Sequence, residues 1–217
     1  MPWEWLLNSM KGDIKAVVFD FGNVIINIDV ERTYKAFSEY TFKSPEKIKT
    51  LFEQNEVFKN YEIGKFNDDE FRDVIRQVCG YPLNDDEIDL AWNALLLDIP
   101  KARWDYLDEL RHRLPIYLLS NTSNIHINKC KQMAKKSFGI SDFTSIFKKA
   151  YLSYEIKMFK PDYAIYQYVI DDIGLKPEQI LFFDDNADNI AAALDMGIKA
   201  VKIDPPQDFM DILEHLL

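Results

Sequence analysis

Lys15-Ala-Val-Val-Phe-Asp20 is a short apolar run that ends in an acid and is followed at once by Phe21-Gly22. It shows no polar alternation, which predicts a strand covered on both faces, as in a parallel sheet. Similar runs recur at Pro115-Ile-Tyr-Leu-Leu-Ser120, Gln179-Ile-Leu-Phe-Phe-Asp184 and Ile198-Lys-Ala-Val-Lys-Ile203. Amphipathic helical patterns lie between them, over about 100–113, 122–136, 161–173 and 187–196. Strand alternating with helix predicts an α/β fold, a doubly wound parallel sheet of the Rossmann-like kind.

Residues 29–97 break that rhythm and carry no convincing strand. Ser44-Pro45-Glu46 sets an N-cap before a proline at the first helical position. Asn67-Asp-Asp-Glu70 and Asn84-Asp-Asp-Glu87 read as capping boxes whose acids also complement the helix dipole. Phe71, Val74, Ile75 and Val78 then recur at helical spacing and make one apolar face. The expected organisation is an N-terminal extension at 1–12, an α/β core of 13–28 plus 98–217, and an inserted helical cap at 29–97.

The chain has 217 residues, enough to bury a sizeable core, and 47% of them are apolar, which excludes a disordered polymer. Its formal charge of -10 opposes nonspecific binding to nucleic acid or an anionic membrane. The same field repels an anionic substrate, so phosphate chemistry would need a local cation or a metal. Cys79 and Cys130 have no neighbours at metal-ligand spacing and fall on helical patterns, where buried thiols in a reducing cytoplasm are expected. No apolar run approaches the roughly 20 residues of a membrane span. Met1–Met10 has Trp3 and Trp5 but no basic, long-apolar signal-peptide pattern. Nothing in the sequence sets an oligomeric state.

Ligands of open parallel sheets bind beyond the carboxyl ends of the strands. Asp20, Ser120-Asn121-Thr122 and Asp184-Asp185 stand there, and Lys160 directly precedes Pro161 at the start of a helix. Each has a plainer reading. Asp20 can open a turn, Ser120 can cap a helix, and Lys160 can be a solvated charge. Two adjacent acids without a partner repel each other, so a bound cation explains Asp184-Asp185 more cheaply. Asn186 and Asn189 suit loop and cap roles. His112, His126 and His215 show no metal spacing, and nothing separates Lys157 from a surface lysine.

Phe19-Asp-Phe-Gly-Asn-Val24, Leu119-Ser-Asn-Thr122, Lys160-Pro-Asp162 and Phe182-Phe-Asp-Asp-Asn-Ala-Asp-Asn189 together resemble the four motifs of haloacid dehalogenase-like hydrolases. The first and last strings resemble the branch of bacterial sugar-phosphate phosphatases that act on substrates such as α-D-glucose 1-phosphate. The resemblance implies a Mg²⁺-dependent phosphatase for small phosphorylated metabolites, with Asp20 as nucleophile forming an aspartyl-phosphate. Magnesium would be held by Asp20, the Gly22 carbonyl and Asp185, with Asp184 adjacent as an alternate ligand. Ser120 and the Asn121 amide would bind phosphoryl oxygens, assisted by a helix beginning near Thr122, and Lys160 would bridge phosphoryl group and nucleophile. Related caps place a specificity loop near Gly64-Lys65, although a helix-ending glycine reads equally well there.

One departure matters. Many family phosphatases carry a second aspartate two residues after the nucleophile, where it protonates the leaving oxygen. This chain has Gly22. General acid catalysis is worth about 10²–10⁴-fold, so the gap favours esters with more acidic leaving oxygens, such as glycosyl 1-phosphates. Two rivals remain: a metal-free 2-haloacid dehalogenase, and a non-catalytic protein that binds a phosphorylated metabolite.

Overall fold

The computed structural model describes residues 13–204 and 208–216; the expected N-terminal extension, with Trp3 and Trp5, lies outside them. Five parallel strands form one sheet in the order β3-β2-β1-β4-β5. They are β1 (Ala16–Phe19), β2 (Ile116–Ser120), β3 (Lys149–Leu152), β4 (Ile180–Asp184) and β5 (Lys199–Lys202). The pattern of covered apolar runs found β1, β2, β4 and β5. It missed β3, an edge strand whose Lys149 and Ala150 are only partly buried, so its sequence lacks the apolar run of a central strand.

Alternate residues of β1 supply two separate cores. Val17 and Phe19 pack with Trp104, Leu107, Phe209 and Leu213 on one face. Ala16 and Val18 pack with Ile165, Tyr166, Ile190 and Ala193 on the other. Both faces being covered is the physical reason that β1 carries no polar alternation.

After β1 the insert contributes five α-helices: α1 (Val30–Thr41), α2 (Pro45–Gln54), α3 (Val57–Glu62), α4 (Asp68–Cys79) and α5 (Asp85–Trp92). Both Asn-Asp-Asp-Glu boxes close as expected. Asn67 and Glu70 exchange bonds at the start of α4, and Asn84 and Glu87 do so at the start of α5. The insert has its own apolar centre, in which the Tyr61 and Phe71 rings stack at 3.9 Å beside Trp92. Its two connections to the sheet region pair with each other: Asn27 N–H donates to Asp98 at 2.9 Å, and Leu97 N–H donates to Asn27 at 3.0 Å.

The remaining helices are α6 (Lys101–Leu110), α7 (Asn124–Phe138), α8 (Ser153–Ile156), α9 (Tyr163–Ile173), α10 (Ala187–Asp195) and α11 (Phe209–Leu216). The helix expected to begin near Thr122 begins two residues later, because Ser123 is its cap and accepts from His126 N–H. Cys79 and Cys130 are both buried, as expected of packing thiols. Among the described residues no helix is long and apolar enough to cross a membrane.

Candidate active site

Strand register brings the acids together. Phe19 of β1 pairs with Phe183 of β4, so Asp20 and Asp184, each one residue further on, emerge side by side. Between them lies the Lys160 ammonium, 2.6 Å from Asp20 Oδ1 and 2.6 Å from Asp184 Oδ2, with its side chain 1% exposed. Lys160 sits in the loop before α9, and Asn121 from the end of β2 grips that loop. Its Oδ1 accepts from Lys160 N–H at 2.9 Å and its Nδ2 donates to the Lys160 carbonyl at 3.0 Å. One carboxylate oxygen from each of Asp20, Asp184 and Asp185 lies within 4.8 Å of the others. Asp20, Asn121, Lys160, Asp184 and Asp185 are therefore gathered in one place.

The two adjacent acids are not equivalent. Asp184 is fully buried, and both of its oxygens are engaged by protein donors: Lys160, the Asn186 amide at 2.8 Å and the Asn189 side chain at 3.0 Å. Asp185 is partly exposed, and its Oδ2 accepts from Asn23 Nδ2 at 2.9 Å.

Charge in this cluster does not balance. Three carboxyl groups face one ammonium. Burial, opposed by Lys160 and reinforced by Asp184 and Asp185, pushes Asp20 well above the usual carboxylate range. Burial works against the charge on Lys160, but Asp184 and Asp20 outweigh it and raise its pKa, so the lysine stays an ammonium. Burial also raises Asp185. A divalent cation among these oxygens supplies the two missing positive charges, and a hard, oxygen-only donor set is what Mg²⁺ prefers.

A cavity of about 420 Å³ lies between the sheet ends and the insert, lined not by the three clustered aspartates themselves but by Gly22, Ser120 and Asn121 from one side and by Phe52, Phe58 and Glu62 from the other. Ser120 is buried at the end of β2. Thr122 N–H is not directed to a ligand; it donates to Ser153 Oγ at 2.9 Å. A Cβ at position 22 would lie 2.8 Å from Cδ1 of Ile28, so Ile28 fills the space that a side chain there would need.

Two residues escaped the sequence reading. Asn23 adopts a left-handed conformation (φ 55°) and spans the site, accepting from Ile28 N–H while donating to Asp185. Asparagine directly after a glycine is the signal that was available, since it tolerates this conformation better than most residues. Glu62 ends α3 and lines the cavity. Burial, with the Asp20 charge, pushes its carboxyl up to about 8.

Gly64 does more than end a helix. Its φ is +72°, and a Cβ there would sit 2.4 Å from the Tyr154 carbonyl oxygen. Gly64→Ala should lower stability by at least about 1–2 kcal/mol from the left-handed backbone alone, with the clash adding to it. A urea titration in which the variant matches the parent would refute this. His112 and His215 are exposed, while His126 is buried against Trp92 and kept neutral by burial, its pKa lowered to about 4. Lys157 is exposed.

A parallel sheet that gathers an aspartate, a lysine and an acid pair at its strand ends, beneath a helical insert, defines an α/β enzyme with an aspartate-centred site. The family described as haloacid dehalogenase-like hydrolases matches residues 14–197, and this chain belongs to it. It is 30% identical over 206 residues to a D-ribitol-5-phosphate phosphatase of Bacteroides thetaiotaomicron, covering 94% of this chain and 98% of that protein. The HAD family enzyme bt-2542 of the same organism, solved with magnesium and inorganic phosphate, superposes with a TM-score of 0.81 at 37% identity, covering 92% of this chain and 98% of that one. A predicted HAD-like hydrolase of Porphyromonas gingivalis gives a TM-score of 0.85 at 27% identity, covering 94% and 98%.

Proposed function

We propose that this chain is a Mg²⁺-dependent phosphatase that hydrolyses small phosphate monoesters, sugar and sugar-alcohol phosphates, through an aspartyl-phosphate on Asp20. The observation that carries this reading is the cluster itself: Asp20, Asp184 and Asp185 around a single buried lysine, two positive charges short of neutrality, with the strand-end residues Gly22, Ser120 and Asn121 lining a cavity. Asp20, the Gly22 carbonyl and Asp185 would hold the cation, which supplies charge neutralisation for an anionic nucleophile meeting an anionic phosphoryl group. Asp184, whose oxygens are engaged, holds Lys160 in place instead.

In this reading Asp20 attacks phosphorus in line, and Lys160 and Ser120 stabilise the equatorial oxygens. Asn121 acts twice, through its amide toward the phosphoryl group and through its side chain on the Lys160 loop. The insert, residues 29–97, is the cap over a core of 13–28 and 98–217, and its closure keeps bulk water from the site.

The cavity wall selects the leaving group. Phe52 and Phe58 make it largely apolar, and Glu53 and Glu56 outnumber Lys59, which disfavours a second anionic group on the substrate. A neutral polyhydroxy tail fits this wall. Gly22 favours glycosyl 1-phosphates within that class, whereas the Bacteroides relative named for D-ribitol 5-phosphate supports primary alkyl phosphates as well.

A panel of both kinds of ester, assayed with Mg²⁺ and with EDTA, tests the proposal. Turnover is expected with the metal, to disappear on chelation and to return when Mg²⁺ is restored. Metal-independent turnover of a 2-haloacid, with no phosphatase activity, would instead establish the dehalogenase.

A further inference from the structure

The position two residues after Asp20 is not merely lacking an acid; Ile28 occupies its space. A phosphatase built this way must bring the leaving-group proton from elsewhere or go without it. The charged core residues of the site offer no spare acid. Lys160 is held between Asp20 and Asp184, and Asp184 accepts from three donors, Lys160, the Asn186 amide and the Asn189 side chain. His126, which also lines the cavity, turns Nε2 to the Trp92 carbonyl at 3.1 Å.

Glu62 is placed differently. It is the last residue of α3, on the insert side of the cavity, opposite Gly22 and Ser120. Its main chain is fastened to the phosphate-binding side by a single hydroxyl. Ser153 Oγ donates to the Glu62 carbonyl at 2.5 Å and accepts Thr122 N–H at 2.9 Å. Two residues on, the bare backbone of Gly64 lies against the Tyr154 carbonyl, a contact that any side chain would block. Ser153 and Gly64 thus dock this turn of the insert onto the strand-end loops, and the carboxyl it carries is the acid delivered to the chamber where a leaving group must sit. Glu53, Glu56 and Lys59 line the same cavity but have no comparable anchor to the core among the described hydrogen bonds.

We infer that Glu62, from the insert, is the general acid of this enzyme, replacing the aspartate absent at position 22. The inference rests on the phosphatase reading above. In the first step an Asp20 oxygen bonds to phosphorus and the P–O bond to the alcohol breaks. The bond pair goes to the ester oxygen, which takes the Glu62 proton and leaves as the free alcohol. Glu62 regains a proton from solvent as the alcohol departs, and in the second step a water oxygen bonds to phosphorus while that water's proton passes to a phosphoryl oxygen. The P–O bond to Asp20 breaks, restoring the carboxylate and releasing inorganic phosphate. A carboxyl kept protonated near neutral pH suits the first step, and burial together with the Asp20 charge holds Glu62 in that state, opposed by Lys160.

The test separates leaving groups. Wild type, Glu62→Gln and Glu62→Asp are assayed with Mg²⁺ on D-ribitol 5-phosphate, whose alkoxide needs a proton, and on p-nitrophenyl phosphate, whose phenolate does not. Glu62→Gln should lose about 10²–10⁴-fold in kcat on the alkyl ester, stay within a few-fold of wild type on the aryl ester, and be partly rescued by Glu62→Asp. Equal losses on both esters in Glu62→Gln, or no loss on either, would overturn the general-acid role and leave the phosphatase reading standing. Should wild type itself turn over neither ester with Mg²⁺, the phosphatase reading falls and this inference with it. Retained aryl turnover also shows that the variant is folded.

Discussion

Asp20→Asn is expected to lower kcat on p-nitrophenyl phosphate by roughly 10⁴–10⁶-fold, the scale of loss when a covalent nucleophile is removed, while leaving the protein folded. The amide keeps the shape of the carboxyl and can still accept from Lys160, but its oxygen is a far poorer nucleophile toward phosphorus. Stability should change little for a reason visible in the charges. The substitution removes one of three clustered carboxyl groups, relieving repulsion with Asp184 and Asp185, as it removes one of the two acids that hold the ammonium. A melting temperature close to wild type alongside near-complete loss of turnover is the anticipated pair of results. Activity within ten-fold of wild type would show that phosphorus is attacked by water directly and that Asp20 is only a charge. A large drop in both activity and melting temperature would point instead to a structural role for this side chain.

What the sequence made legible follows from where physical constraints are local. Covered central strands leave continuous apolar runs, so β1, β2 and β4 could be read directly; of the two edge strands, β5 showed through Ala200-Val201 between Ile198 and Ile203, whereas β3 carries Lys149 and a mixed face and could not be read. Capping is local chemistry, and both boxes of the insert formed as written. The strand-end acids were legible because a polar residue that terminates an apolar run is conspicuous; that they converge with Lys160 is a property of register and of the Asn121 clamp, neither of which is local. The difference between Asp184 and Asp185 was hidden for the same reason, since it depends on donors from Lys160, Asn189 and Asn23, which lie from one end of the chain to the other. Glu62 was invisible for a further reason. One glutamate among the many acids of a helical insert has no pattern to mark it, and only docking through Ser153 and Gly64 sets it against the cavity.

Lys160→Met should be the most damaging single substitution to the fold of the metal-free protein, because methionine keeps much of the length and packing while deleting the only cation among the buried acids. Breaking a buried ionic cluster by removing one partner costs roughly 3–5 kcal/mol, and here two carboxyl groups, on Asp20 and Asp184, lose their common partner at once. The deficit must depend on pH, with a definite sign. Without the lysine, these carboxyls have folded-state pKa values raised above their unfolded values near 4. The folded variant therefore binds more protons than the unfolded chain, and its stability is lost as pH rises from about 4 through the raised values. Urea titrations in EDTA should accordingly show a larger gap between variant and wild type at pH 8 than at pH 5. Saturating Mg²⁺ should then narrow the gap at pH 8, since a cation bound only by the folded state stabilises it by mass action. A gap that is the same at both pH values and indifferent to Mg²⁺ would mean that Lys160 is held for packing alone, and would remove the charge imbalance on which the metal site depends.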